Sequence, residues 1–220
     1  MKKAFLCAAL ALCIGAGVFA QDNSGGRQFD LWMSAGPAFG NYFMSGSGLG
    51  NNYTFSPGVN VRLYALFGER NIGLFFNHST LMPVTSNIVG NLRPSVHHDF
   101  IPIGFGMGHY LNENLMLHFG IGPNLNMLFL YSRESGETFG DHFIGLGIGG
   151  DIGLKYRMGS FFFINVGMTL SYNFAAHREA RSNVDTRRNR HTTESAGWVG
   201  GYSMIGVKPY ITFGATIGRR

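Results

Sequence analysis

Apolar and polar residues alternate with a period of two along most of the chain. The clearest stretch is 115–131, where the odd positions are mainly apolar and the even positions include His118, glycines and asparagines. The same alternation runs through 54–67 and 161–174. A period of two places successive side chains on opposite faces of a β-strand, whereas a helix needs a period of 3.6. The pattern therefore predicts an all-β protein.

We predict eight strands from this alternation. They are placed at 29–43, 54–67, 72–80, 99–110, 115–131, 142–157, 161–174 and 198–217. Short connections at 68–71, 111–114 and 158–160 alternate with longer ones at 44–53, 81–98, 132–141 and 175–197. An even strand count with alternating short and long connections is typical of bacterial outer-membrane barrels, whose long loops face outward. The predicted fold is an eight-stranded antiparallel up-and-down transmembrane β-barrel in the outer membrane.

The chain opens with a segment typical of a secretory signal peptide. Lys2 and Lys3 precede an apolar run from 4 to 18, and Val18 and Ala20 supply the small residues of a cleavage site. We predict a cleaved signal at 1–20 and a single barrel domain at 21–220. Both cysteines lie inside the signal, so the mature chain has no thiol for a disulfide or a zinc–thiolate site.

Charge is scarce and unevenly placed. Lys, Arg, Asp and Glu make up 13% of the chain, against about 25% in soluble domains. The predicted strands contain few of them: Asp30, Arg62, Asp99, Asp151, Lys155, Arg157 and Lys208. All except Asp99, at a strand mouth, share the face that carries glycine and polar residues. The other face is predicted to be apolar and to contact lipid, where a Lys or Arg at mid-depth costs about 2–4 kcal/mol.

The polar face is expected to line the barrel interior. The predicted interior residues are Asp30, Arg62, Asn124, Asn126, Asp151, Lys155, Arg157 and Lys208. Because both signs of charge occur, the first interpretation is an ion-pair network that fills a narrow barrel, and an ion or proton path is the alternative. The many glycines on this face either seat large neighbours across the lumen or clear space for a ligand.

Other candidate motifs do not indicate catalysis. The run 145–150 matches G-x-G-x-x-G, but the strand continues through Asp151 without the helix that a nucleotide site requires. His97, His98 and Asp99 lack further ligands at metal-site spacing, so we interpret them as part of a solvated loop. We expect no enzyme activity, no cofactor and no metal. The mature net charge of about +3, which is scattered, gives no basis for nucleic-acid binding.

The predicted outer loop 175–197 is rich in charge. Its basic cluster consists of Arg178, Arg181, Arg187, Arg188 and Arg190. One interpretation is a solvated loop tip, and the other is contact with an acidic host surface or glycan.

The signal peptide, the eight alternating strands and the long outer loops resemble the small outer-membrane barrels over nearly all of 21–220. The glycine-rich, mostly uncharged interior is most similar to the OmpW family, with OmpX-type and opacity-type barrels close behind. The OmpW resemblance implies a narrow lumen that passes or holds small hydrophobic molecules, and it implies no catalytic residues. We therefore expect outer-membrane lipid as a partner and a hydrophobic solute bound or conducted through the lumen or a lateral opening. The alternative is an adhesin that meets a host ligand through its loops.

Overall fold

A computed structural model of the chain describes residues 29–46, 52–68, 70–84, 93–134, 137–185 and 190–217. The predicted signal peptide lies outside the described residues. The described ranges contain nine strands: β1 (Phe29–Ser45), β2 (Asn52–Phe67), β3 (Ile72–Leu81), β4 (Arg93–Tyr110), β5 (Leu115–Glu134), β6 (Glu137–Met158), β7 (Phe162–Asp185), β8 (Arg190–Trp198) and β9 (Ser203–Ile217). The described residues contain no helix with the length and apolar character needed to span a bilayer.

The strands close into a ring with eight positions. Each strand from β1 to β7 pairs antiparallel with the next, β7 also pairs with β9, and β9 pairs with β1. β9 pairs with the first half of β7, and β8 pairs with the second half on the same edge. β8 and β9 therefore form one strand position of the ring, interrupted at 199–202. Gly201 supports this interruption because it adopts φ +62°, which favours glycine. The structure confirms an all-β, eight-position antiparallel barrel.

Several strands extend beyond their predicted ends. β7 and β8 pair from His177–Trp198 to Asp185–Arg190, so most of the predicted loop 175–197 is a β-hairpin. β5 and β6 pair up to Glu134–Glu137, and β4 begins at Arg93 rather than at 99. These extensions are rich in polar residues and lack the apolar alternation that marks a strand with one buried face. Backbone pairing forms the strands, and the sequence pattern does not reveal it.

The two faces of the barrel are inverted relative to a soluble protein. Large apolar side chains such as Ile121, Val166 and Phe213 are half or more exposed on the outside. Polar side chains such as Asn60 and Asn165 are fully buried inside. Lipid contact outside and a closed hydrogen-bonded ring without an unpaired edge are what a membrane-spanning sheet requires.

A bulge in β4 reverses the faces of this strand. Phe100 pairs with Leu125 and Phe105 pairs with Ile121, so β4 has one more residue than β5 between these pairs. Pro102 lies in this interval and has no N–H to donate to the ladder. On the outer side of the bulge the odd-numbered Asp99 faces inward. On the other side of the bulge the inward-facing residues are the even-numbered Gly104, Gly106 and Gly108.

The outer face is not apolar throughout, which corrects the sequence prediction. His78 and Thr80 of β3 are half-buried on the outside, because the intervening Ser79 is fully buried. His98 of β4 lies beside them. A count of Lys, Arg, Asp and Glu misses such residues, since histidine and threonine do not enter it.

Candidate functional site

The middle of the interior holds a buried ion pair between Arg62 of β2 and Asp151 of β6. Nη2 of Arg62 lies 3.1 Å from Oδ1 of Asp151, and both side chains are fully buried. The Tyr64 and Thr169 hydroxyls donate to the same carboxylate at 2.5 and 3.1 Å, and Nδ1 of His118 lies 3.4 Å away. The carboxylate is thus surrounded by partners from β2, β5 and β7, which connects opposite walls of the barrel.

Asparagines extend this network across β2, β3 and β7. Asn77 donates to the Thr169 hydroxyl at 2.8 Å, and Asn60 donates to the Asn77 side-chain oxygen at 2.6 Å. On the other wall, His118 is hydrogen-bonded to Asn165 at 2.9 Å. These amides are buried, so each contact replaces a hydrogen bond to water that burial removes.

A second ion pair, nearer the outer end, joins Asp99 of β4 to Lys208 of β9. Asn124 donates to Asp99 at 2.8 Å, and the Ser171 hydroxyl donates to it at 3.2 Å. Asn126 donates to the same carboxylate at 3.3 Å. β4 and β9 are not neighbours in the ring, so this pair also spans the lumen.

A third ion pair lies toward the periplasmic end, between Asp30 and Lys155 at 2.9 Å. The Thr216 hydroxyl donates to Asp30 at 2.6 Å, and the Tyr110 hydroxyl donates to it at 2.9 Å. The Lys155 ammonium also lies 5.1 Å from the Trp32 ring centre, a cation–π distance. This group joins β1, β4, β6 and β9.

Two clusters of buried apolar side chains also pack inside the barrel. One lies toward the outer end and contains Tyr42, Met44, Leu81, Leu128, Leu130, Phe143, Ala176, Tyr202 and Met204. The other surrounds the inner part of the network and contains Trp32, Tyr64, Leu66, Phe75, Ile101, Met116 and Phe163. Charged pairs and packed side chains therefore occupy the lumen at successive heights, and a solute would have to displace them.

Interior glycines seat large side chains from other strands. A Cβ at Gly120 would lie 2.7 Å from two atoms of the Phe75 ring, and a Cβ at Gly206 would lie 2.7 Å from the Tyr42 ring. Real Cβ atoms do not approach so closely, so these rings occupy the space that the glycines leave. Of the two interpretations of the glycines, the structure favours packing at these positions.

Most predicted interior residues are buried inside the barrel, and the structure brings them into the three groups above. The buried ones are Asp30, Arg62, Asn124, Asn126, Asp151, Lys155 and Lys208. Arg157 is different: it donates to the backbone oxygens of Gly159 and Ser160 at 2.9 and 2.7 Å. It therefore braces the turn between β6 and β7 at the rim instead of joining the interior network.

The interior residues absent from the predicted set include His118, Asp99 and His97. His118 occupies the polar parity of β5, so the alternation could have included it. The β4 bulge changes the parity of the strand, so the alternation does not show that Asp99 and His97 face inward. Residues 97–99 belong to β4, and their interpretation as a solvated loop was wrong. His97 is buried, bonds to Asn126 and lies 4.2 Å, ring to ring, from Tyr42.

On the outer side, the hairpins β5–β6 and β7–β8 continue the barrel wall. β7 has 24 residues and β6 has 22, whereas about 9–11 residues of a tilted strand cross a bilayer. At the base of this sheet, Arg178 lies 2.5 Å from Asp141. Arg181 and Arg190 belong to β7 and β8, and Arg187 and Arg188 lie outside the described residues.

The wall also carries an apolar pocket of about 470 Å³ that opens toward lipid. Its lining comes from β1, β2, β6, β7 and β9 and includes Met33, Val61, Met158, Phe162, Phe213 and Ala215. The small residues Ala35 and Gly214 also line it, between bulkier neighbours. An apolar molecule could contact the wall here without entering the barrel interior.

These features define the class: the chain is a bacterial outer-membrane β-barrel that crosses the membrane with several strands. A major outer-membrane protein of Thermus thermophilus is similar, with a TM-score of 0.53, 10% identity, and 89% of this chain and 100% of that one covered. Ail of Yersinia pestis, in complex with the heparin analogue sucrose octasulfate, is similar with a TM-score of 0.50 and 11% identity, and the match covers 86% of this chain and 99% of Ail. For Neisserial surface protein A the TM-score is 0.49 and the identity 11%, and the match covers 87% of this chain and 99% of that one.

At these sequence identities the similarity shows the fold alone. The fold is that of the small outer-membrane barrels. No protein-family model and no curated protein sequence matches the chain. The OmpW resemblance stays an expectation from the sequence.

Proposed function

We propose that this protein is a non-conducting, non-catalytic barrel that presents an extracellular β-sheet to an acidic partner at the cell surface. The observation that carries the proposal is the set of ion pairs and packed side chains inside the barrel. The Arg62–Asp151 and Asp99–Lys208 pairs cross the lumen, and apolar clusters pack around and above them. Removing one member of such a buried pair costs about 3–5 kcal/mol, so a passing solute would meet a high barrier.

The strands that rise above the membrane support the same proposal. A 24-residue strand is about 80 Å long at roughly 3.3 Å per residue, far more than one crossing needs. A barrel braced by interior ion pairs gives this sheet a rigid base, and binding residues are commonly displayed on segments that a rigid scaffold positions. The five arginines of 178–190 give the β7–β8 hairpin an excess of positive charge that suits a sulfated or phosphorylated glycan.

The test compares binding and conduction in one set of variants. Residues 182–192 are replaced by an Asn-Gly turn, which closes a shorter hairpin. Sucrose octasulfate, the heparin analogue held by Ail in its crystal structure, is the small polyanionic probe. We expect binding to the unaltered protein and a loss of at least tenfold in the shortened variant. Equal binding by both would contradict the proposal.

Planar-bilayer recordings supply the second arm. We expect the unaltered barrel to show no steady conductance and no uptake of small hydrophobic solutes through its lumen. Heat-modifiable gel mobility shows that each preparation is folded. Steady conductance in the folded unaltered protein would restore the conduit hypothesis.

A second candidate function is the binding of a small hydrophobic solute at the wall pocket. The specific observation in its favour is the apolar lining of Met33, Phe162 and Phe213, which are all exposed toward lipid. Ala215→Phe would fill the pocket and is expected to abolish binding of an apolar fluorescent probe in micelles. Val59→Phe is the matched control, since Val59 is exposed on the outer wall and does not line the pocket.

A further inference from the structure

A polar triad interrupts the lipid-facing wall between β3 and β4. It consists of His78 and Thr80 of β3 and His98 of β4, and all three side chains are half-buried on the outer face. The exposed apolar residues Leu74 of β3 and Met82, just beyond the end of β3, lie on either side of it. Ionisable groups in a membrane-facing region are expensive, so they indicate function more often than chance.

The donor atoms of the triad form a nearly equilateral triangle. Nε2 of His78 lies 3.4 Å from Nδ1 of His98, and the Thr80 hydroxyl oxygen lies 3.2 Å from His98 and 3.4 Å from His78. Hydrogen bonds that involve nitrogen are commonly about 2.7–3.2 Å long, so two of the three edges exceed that range. One ordinary hydrogen bond, between Thr80 and His98, accounts for the shortest edge, and the other two edges are long for hydrogen bonds.

Metal coordination describes it better. Zinc ligands lie about 2.0–2.1 Å from the ion, and two corners of a tetrahedron of that size are about 3.3–3.4 Å apart. The three edges of the triad match one face of such a tetrahedron. Each imidazole contributes one ring nitrogen to this triangle, and the Thr80 hydroxyl contributes the third donor.

We propose that His78, His98 and Thr80 form a binding site for a divalent transition-metal ion of the zinc class. Imidazole nitrogen favours zinc, cobalt, nickel and copper, whereas magnesium and calcium require a set of oxygen ligands. Among the described residues, no three His, Cys, Asp or Glu side chains are grouped to hold a metal. This site differs because its third donor is a hydroxyl.

Aromatic neighbours hold the two imidazoles in place. The Phe100 ring meets His78 edge-on at 5.9 Å, and the Phe129 ring meets His98 edge-on at 6.1 Å. Fixed ring orientation lowers the cost of bringing both nitrogens to one ion. A bound ion would tie β3 to β4, where the pairing is interrupted by an irregularity between Phe75 and Asn77.

The test is titration of the untagged protein, folded in detergent micelles, with Co²⁺ as the spectroscopic probe. Low-symmetry Co²⁺ gives visible ligand-field bands, and we expect one ion per chain, displaced by Zn²⁺ and unaffected by Mg²⁺. His78→Gln and His98→Gln should each weaken binding at least tenfold, and Thr80→Val should weaken it less. His109→Gln is the matched control, because His109 is an exposed histidine of β4 remote from the triad.

A second measurement needs no variant and so does not depend on variant folding. Diethyl pyrocarbonate modifies accessible histidines of the unaltered protein, and mass spectrometry locates the products. We expect Zn²⁺ to slow modification of His78 and His98 but not of His109. Absence of the Co²⁺ bands, their persistence in folded His78→Gln/His98→Gln, or unprotected His78 and His98 would each overturn the site.

Discussion

Asp99 of β4 and Lys208 of β9 form an ion pair across the barrel interior, with each side chain at most 2% exposed. Replacing Lys208 by Met removes the positive partner and leaves the Asp99 carboxylate buried without it. We predict that Lys208→Met lowers the free energy of unfolding by about 3–5 kcal/mol. Urea unfolding in micelles, followed by tryptophan fluorescence, measures the change.

Two further variants separate the ion pair from general damage. Asp99→Asn in the Lys208→Met background replaces the stranded charge with a neutral amide, so the double variant is expected to be more stable than the single one. Arg157→Met is the matched control, because Arg157 bonds to the β6–β7 turn at the rim. Equal losses in Lys208→Met and Arg157→Met would contradict the role given to the pair.

The case of Asp99 shows where sequence prediction of this fold succeeds and where it stops. Alternation reports a face only while the register is unbroken. Arg62 and Asp151 share the polar parity of their strands and are buried, whereas Asp99 has the other parity in β4 and is buried as well. One extra residue in β4 reverses the parity, and alternation alone does not reveal where a bulge lies.

The strand extensions and the outer triad could not be predicted from the sequence, for different reasons. The β7–β8 hairpin is rich in polar residues, so it carries no apolar period although its backbone is paired. His78 and His98 lie twenty residues apart, and only the register of β3 with β4 brings their rings together. The number of barrel positions was predictable because closure demands a lipid-facing alternation in every strand that crosses the membrane.

Gly120 should tolerate no side chain while Phe75 occupies the space beside it. A Cβ at Gly120 would approach the Phe75 ring to 2.7 Å, so we predict that Gly120→Val destabilises the barrel by about 1–3 kcal/mol. Phe75→Leu in the same chain should recover part of the loss. Gly150→Ala is the control, since its Cβ would meet a neighbour only at 3.5 Å. The same unfolding assay applies, and an unaffected Gly120→Val would show that the ring moves without cost.

A charge on the lipid-facing wall should be far more costly than a charge at a turn. Ile211 is 47% exposed on β9, next in line to the exposed Phe213. We predict that Ile211→Lys costs about 2–4 kcal/mol in phospholipid vesicles, because the ammonium enters hydrocarbon. Asn114→Lys, in the exposed β4–β5 turn, should be nearly neutral. If both substitutions cost the same, the outer face of β9 is not in contact with the bilayer interior.

The basic hairpin offers a sharper prediction about which arginines meet a polyanion. Arg178 lies 2.5 Å from Asp141, and its side chain is 33% exposed, so its charge is already largely matched. We predict that Arg178→Gln changes the Kd for sucrose octasulfate by less than about twofold, because the charge it removes is already neutralised by a carboxylate. Arg187→Ser/Arg188→Ser should weaken binding severalfold and reduce its sensitivity to salt, since two screened attractions are lost. Titration calorimetry at two ionic strengths measures both effects. A larger loss in Arg178→Gln would place the polyanion at the base of the hairpin, beside Asp141, and not near 187–188.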